Sequence, residues 1–182
     1  MKTLIFNGSP RKFGNTASLI EELIKRLDGE VKVIRAYDCN IQPCNDCRFC
    51  WKNDGCSIQD EMQEVYDYIQ ECDNIVVAAP LQFSELAGQL LAVMSRLQTY
   101  WCARVFRGMQ PVPKKKHGGV IIVRGGTGRL KKAEDTARTL LFDMNTTADV
   151  TVYVDRSDVI KSVDHPDAME KIVEMAELFN KG

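Results

Sequence analysis

Apolar residues along this 182-residue chain fall into two alternating rhythms. KTLIF at 2–6, Val31 with Val33 and Ile34, NIVVAAP at 74–80, GGVIIV at 118–123 and VTVYV at 150–154 are short runs that read as strands. The run at 74–80 is apolar enough for a strand covered on both faces. Between these runs the spacing turns helical. Leu19, Ile20, Leu23, Ile24 and Leu27 share one face of 18–27, and Met62, Val65, Tyr66 and Ile69 share one face of 59–71. Helices are also predicted over 85–97, 130–144 and 166–179, the last opening on Pro166, which suits a first helical turn. Five strands alternating with five helices predict an α/β, doubly wound parallel sheet with helices on both faces and right-handed crossovers. No internal repeat or linker divides the chain, so a single domain over 1–182 is expected, with a cysteine-rich loop insertion at about 38–58.

Ligands of open α/β sheets sit outside the carboxyl ends of the strands, near the point where strand order reverses. Here those ends are NGSPRKFGNT, APLQFSEL and RGGTGR, after the first, third and fourth strands. Each is rich in Gly, Pro or small polar residues, which bring backbone close to a ligand.

Composition narrows the partners. With 24 basic and 25 acidic residues the net charge is −1, leaving no global footprint for nucleic acid or an anionic membrane. The apolar start MKTLIF is cut off at Asn7-Gly8, short of the roughly 7–15 apolar residues of an export signal, so a cytoplasmic location is expected. In such a reducing compartment, seven cysteines point to metal or redox chemistry, not to disulfides.

The loop GSPRKFGNT at 8–16 offers Ser9 and Thr16 hydroxyls, the Asn15 amide, the Arg11 cation and Gly14 directly ahead of a helix, whose free N–H groups attract phosphate. Five residues separate Gly8 from Gly14, and Asn15 stands where a Walker A loop has Lys, which disfavours nucleotide hydrolysis. A G-x-G-x-x-G fingerprint is also missing. Neutral donors without a cation cluster suit one terminal phosphate, as in a mononucleotide such as FMN. The plainer alternative is a turn in which Asn15 or Thr16 caps the helix.

Cys44, Cys47, Cys50 and Cys56 follow C-x2-C-x2-C-x5-C. Three thiolates three residues apart can wrap one face of a cubane, and a fourth closes the set, which favours a [4Fe-4S] cluster. Four thiolates also satisfy a tetrahedral zinc site, although zinc knuckles usually stand further apart. Free thiols or a redox-active dithiol remain a third reading. Cys39, Cys72 and Cys102 lack comparable spacing and read as small core residues, and His117 and His165 have no partner motif. TYWCARVFRGMQ at 99–110 carries too many aromatics to lie in solvent. It is expected to form a subunit contact, to cover the ligand, or to extend the preceding helix.

GSPR-x-x-GNT after the first strand resembles the phosphate loop of the flavodoxin-like NADPH-dependent FMN reductase superfamily, and the cysteine stretch resembles its iron-sulfur flavoprotein branch, Pro43 before the first Cys included. The similarity runs to about residue 155. It implies a flavodoxin-like five-stranded sheet of order 2-1-3-4-5. It also implies FMN with its phosphate on Ser9, Arg11, Gly14, Asn15 and Thr16, its ring against Pro80, Leu81, Gln82, Phe83 and Ser84, and further contacts from Gly125 and Gly126. Members commonly carry an aromatic where Gln82 stands, and Lys and Asp where Leu91 and Ser95 stand, whereas Arg96 is retained. Phe83 is the expected substitute for that apolar surface.

These readings converge on an FMN-dependent oxidoreductase or electron-transfer protein coupling FMN to a [4Fe-4S] cluster on the four cysteines, with NAD(P)H a candidate donor. No catalytic side chain is required, since the flavin carries the chemistry. The alternatives are an NAD(P)H-dependent FMN or quinone reductase without a cluster, and a non-catalytic electron carrier or zinc-stabilised binding module. The expected partners are small-molecule or protein electron donors and acceptors, with a homodimer or homotetramer as the assembly.

Overall fold

The chain was analysed as a computed structural model that describes residues 1–181. Five strands form the parallel sheet: β1 (Lys2–Asn7), β2 (Glu30–Arg35), β3 (Asn74–Gln82), β5 (His117–Val123) and β6 (Val150–Val154). They lie in the order β2-β1-β3-β5-β6, which is the predicted 2-1-3-4-5 order with one short strand interposed in sequence. That extra strand, β4 (Glu85–Leu86), folds back antiparallel on the end of β3.

Side-chain alternation along the strands builds two cores. Leu4, Phe6, Ile75, Val77, Val120 and Ile122 face one layer, while Ile5, Val76, Ala78, Ile121 and Val152 face the other. The second layer is covered by α1 (Asn15–Ile24) and α7 (Pro166–Lys181) through Leu19, Leu23, Ile172, Met175 and Phe179. The first is covered by α3 (Met62–Glu71), α4 (Gly88–Met94) and α6 (Lys131–Asp143). Burying both faces is what the apolar run of β3 required, since six of its nine residues are buried.

One segment departs from the sequence reading, and the next settles its alternatives in favour of an extension of the preceding helix. The single helix expected over 85–97 is the β4 strand, then α4, then a 3-10 turn at Ser95–Leu97. The aromatic stretch after it is no loose connection: α5 (Gln98–Arg107) continues straight from that turn and ends at Gly108 in the left-handed conformation. A four-residue helix, α2 (Phe49–Lys52), lies inside the cysteine loop and packs on α5. No helix among the described residues is long and apolar enough to cross a membrane.

The β3–β4 hairpin pairs Gln82 with Glu85, leaving Phe83 and Ser84 as a two-residue turn. Both have positive φ, 51° and 61°, as a type I′ turn demands of residues that are normally Asn or Gly. For side chains with a Cβ, the left-handed region costs about 1–2 kcal/mol per residue. The double substitution Phe83→Asn with Ser84→Gly is therefore expected to stabilise the chain by about 1–2 kcal/mol, read as a rise in the urea midpoint with an unchanged slope.

Candidate functional site

The loop after β1 is shaped by its own hydrogen bonds. Ser9 N–H donates to Asn7 Oδ1 at 2.9 Å and Arg11 N–H to Ser9 Oγ at 3.3 Å, closing two successive turns. Gly8 is fixed by close approach, because a Cβ there would lie 2.9 Å from Leu90 Cβ on α4. Gly14 is the N-cap of α1, and no side chain caps the helix. Its first amides therefore face outward at the positive end of the helix dipole.

The loops after β1, β5 and β6 and the carboxyl end of β3 meet in one cleft of about 290 Å³. Ser9, Arg11, Gly14, Asn15 and Thr16 line it from one side, with Pro80, Leu81 and Gln82 opposite and Gly125 at the end. The Asn15 side chain is committed elsewhere. Its Nδ2 donates to the Ser157 carbonyl at 2.8 Å and its Oδ1 accepts from Ser162 N–H at 2.9 Å, so it latches the loop after β6 onto the start of α1. What Asn15 offers the cleft is its backbone N–H.

That latched loop adds Ser157 and Asp158 to the lining, which sequence reasoning missed. A Cβ on Gly125 would stand 2.1 Å from Asp158 Oδ2, so the glycine gives the carboxylate its place at the rim. Pro10, inside the SPR stretch, and Val123, at the end of the GGVIIV run, were the missed lining residues with a signal in the sequence. Three predicted contacts lie apart. Phe83 is fully exposed at the hairpin tip, Ser84 lines a neighbouring groove at the start of α6 with Arg129 and Lys132, and Gly126 is not among the lining residues.

The second centre lies in the loop between β2 and α3. Cys44, Cys47, Cys50 and Cys56 line a single cavity together with Arg96, Gln98 and Thr99. Asp46 and Arg48 adopt left-handed φ of 53° and 61°, so the chain curls at each x-x step and turns its cysteines to one side. Cys44 N–H donates to Ser95 Oγ at 2.9 Å, Thr99 Oγ1 donates to the Gly55 carbonyl at 2.8 Å, and Arg107 donates to the Cys50 carbonyl. Trp51 stacks on Phe106 of α5 with ring centroids 4.5 Å apart. The aromatic stretch of α5 is thus the wall against which the cysteine loop folds.

Arg96 closes both ends of that loop. Its side chain is 0% exposed, and its guanidinium donates to the Gln42 carbonyl at 3.0 Å, the Ile58 carbonyl at 3.0 Å and Asp60 Oδ2 at 2.7 Å. Tyr66 OH donates to the Arg96 carbonyl at 2.7 Å from α3. Burial pushes the Asp60 carboxyl up, but the Arg96 hydrogen bond and the amides of Gln42 and Met62 outweigh it and hold the group below the ordinary carboxylate value. The remaining donor, Arg96 Nε, is buried without a partner, and Arg96 borders the four thiols. A buried cation with an unpartnered donor, on the wall of a cavity that four thiols share, suits an anionic thiolate-ligated group.

The thiols differ. Burial, then a hydrogen bond to Cys102, pushes Cys50 up to about 12, whereas a hydrogen bond from Ser57 Oγ, 3.2 Å away, lowers Cys47. Among the described residues, no three His, Cys, Asp or Glu side chains converge to the distance of a metal-binding group.

Comparison with known proteins follows this geometry. The family model described as NADPH-dependent FMN reductase matches residues 1–158. The chain belongs to the NADPH-dependent FMN reductase family. Within that family it is similar to an iron-sulfur flavoprotein of Archaeoglobus fulgidus, 29% identical over 71% of this chain and 57% of the relative. A second iron-sulfur flavoprotein of that organism is 37% identical over 53% of this chain and 48% of its own length. The chain thus spans about half the length of the curated relatives it matches. Among solved structures, an NAD(P)H:quinone oxidoreductase from Methanothermobacter marburgensis covers 100% of this FMN reductase family member and 95% of itself, with a TM-score of 0.69 at 13% identity, a likeness of fold.

Asp60 has a folded pKa below the value of about 3.9 that it takes in the unfolded chain. Its stabilisation is present above that value and is lost as pH falls through the folded pKa. Stability by urea unfolding is therefore expected to drop below about pH 4, and Asp60→Asn to flatten that part of the profile. Arg96→Met, which leaves Asp60 buried and unpaired, is expected to cost about 3–5 kcal/mol in the same measurement at neutral pH.

Proposed function

We propose that this chain is an FMN-dependent oxidoreductase that passes electrons between FMN in the three-loop cleft and a [4Fe-4S] cluster on Cys44, Cys47, Cys50 and Cys56. The observation that carries the reading is the cleft itself. An uncapped helix start, two hydroxyls and Arg11 converge there with the carboxyl end of β3 and the loop after β5, at the switch point of the sheet. The FMN phosphate is assigned to Ser9, Arg11, Thr16 and the amides of Gly14 and Asn15. Pro80, Leu81, Gln82 and Gly125 flank the remainder of the cofactor. Bound flavin supplies exchange between two-electron and one-electron chemistry, and the protein supplies binding, orientation and electrostatics.

For the cluster, support comes from the shared cavity of the four cysteines, the orphaned Arg96 Nε beside it, and the names of the relatives. NAD(P)H is the proposed donor for the flavin, with a quinone or an electron-carrier protein as acceptor. The assembly is proposed as a homodimer or homotetramer, and the cysteine loop as an insertion in a single domain.

An anaerobic absorption spectrum with iron, zinc and sulfide assays tests the whole. Flavin bands with a broad iron-sulfur shoulder and matching iron and sulfide are expected. Flavin alone supports a reductase without a cluster, and zinc without flavin overturns the reading.

Thr16 is 2% exposed and lines the cleft. Thr16→Val, which removes only the hydroxyl, is expected to weaken FMN binding by about 1.5–3 kcal/mol, the range of hydrogen bonds to charged groups. Calorimetry under argon reads the change, and an unchanged affinity contradicts the assignment.

A further inference from the structure

Ser57 directly follows the last of the four cysteines, and its Oγ stands 3.2 Å from Cys47 Sγ. Only two hydroxyl side chains, Ser57 and Thr99, line the cysteine cavity. They are used differently. Thr99 gives its proton to the Gly55 carbonyl at 2.8 Å, and nearby Ser95, which receives Cys44 N–H, gives its own to the Ala92 carbonyl at 2.6 Å. Those two brace backbone, whereas Ser57 faces a sulfur. The contact is held from both sides. Cys47 N–H donates to Asn45 Oδ1 at 3.3 Å, while Gln59 Nε2 donates to the Cys56 carbonyl at 3.3 Å, and Arg96 and Gln63 donate to the Ile58 carbonyl at 3.0 and 2.7 Å. The backbone on each flank of Ser57 is thereby fixed.

We propose that Ser57 tunes the iron-sulfur centre: its hydroxyl donates to the Cys47 sulfur and raises the reduction potential without itself ligating iron. The inference rests on the reading of Cys44, Cys47, Cys50 and Cys56 as cluster ligands. With Cys47 a free thiol, either atom of the pair can donate. A sulfur bound to iron is a thiolate and carries no proton, so ligation leaves the hydroxyl as the donor. Hydrogen bonds to ligand sulfurs are among the levers that set such potentials. An added electron increases the negative charge on the sulfurs, and an O–H aimed at one of them stabilises the reduced state more than the oxidised one. The reduced state is favoured. Cys47 and Ser57 also line the open groove outside the cavity, with Arg48 and Lys52, so this sulfur and its donor stand on the side from which an electron partner can approach.

The full chain is loaded with iron, sulfide and FMN under argon and titrated with dithionite in the presence of redox mediators, the cluster being followed by electron paramagnetic resonance and the flavin by absorption. Ser57→Ala is expected to take up iron and sulfide as the wild type does, and to shift the reduction equilibrium of the cluster toward the oxidised state by about tenfold, which for one electron is a potential lower by about 59 mV. Ser57→Thr, which keeps the hydroxyl, is expected to restore the wild-type value. The flavin midpoint read in the same titration is expected to stay where it is, because the three-loop cleft is a separate site. An unchanged cluster potential in Ser57→Ala, a potential that moves upward, or a shift shared equally by cluster and flavin overturns the proposal. Loss of iron uptake in Ser57→Ala alone also overturns it, since Ser57 would then be needed to build the centre and not to tune it. Wild type that takes up no iron at all defeats the cluster reading, and the tuning role with it.

Discussion

One buried guanidinium holds the two ends of the cysteine loop to the turn between α4 and α5. Arg96 receives no help from solvent, and its three hydrogen bonds reach Gln42 at the entrance of the loop and Ile58 and Asp60 at its exit. A long loop whose ends are pinned together loses far fewer conformations on folding over α5 than one with free ends. The charge is compensated only as long as Asp60 stays ionised, so the architecture of the loop depends on a carboxylate whose pKa burial raises and its hydrogen bonds lower. Everything the four thiols can do follows from this clamp, because their common cavity exists between its jaws and the wall of α5.

The cleft at the switch point obeys a different constraint. Right-handed crossovers deliver the ends of β1, β3 and β5 to one edge of the sheet, and the backbone there must come close without side chains in the way. Gly8 lets α4 cross the start of the loop, and Gly125 leaves room for Asp158. Asn15 fastens the loop after β6 across the start of α1, so the edge strand contributes to a site that the central strands build. The clamp and the cleft are separate pieces of physical chemistry on one scaffold, and the proposed electron transfer draws on both.

The sheet was legible because its strands are continuous apolar runs, and a strand buried on both faces has few other readings. The place of the loop after β1 in the cleft was legible because turn residues and donors stand together directly ahead of a helix. Other features were hidden for physical reasons. β4 exists through its pairing with Leu81 and Gln82, a contact that no local propensity announces. The aromatic-rich α5 reads as an interface because its partner, the loop around Trp51, lies far away in sequence. Phe83 was expected at the ligand because aromatics near a flavin usually stack, yet the hairpin geometry turns it into solvent. Ser157 and Asp158 reach the cleft only through the Asn15 latch. In each case a side chain's role is set by a neighbour that the sequence does not place beside it.

The most direct test of the account is whether the loop after β1 recognises phosphate. Calorimetry under argon compares FMN with riboflavin, which differ only in that group, on the same anaerobic protein. Tighter binding of FMN by about two orders of magnitude, equivalent to about 2.7 kcal/mol, is the result predicted by an uncapped helix start lined with hydroxyls. Equal affinities, or no binding of either flavin, would contradict it.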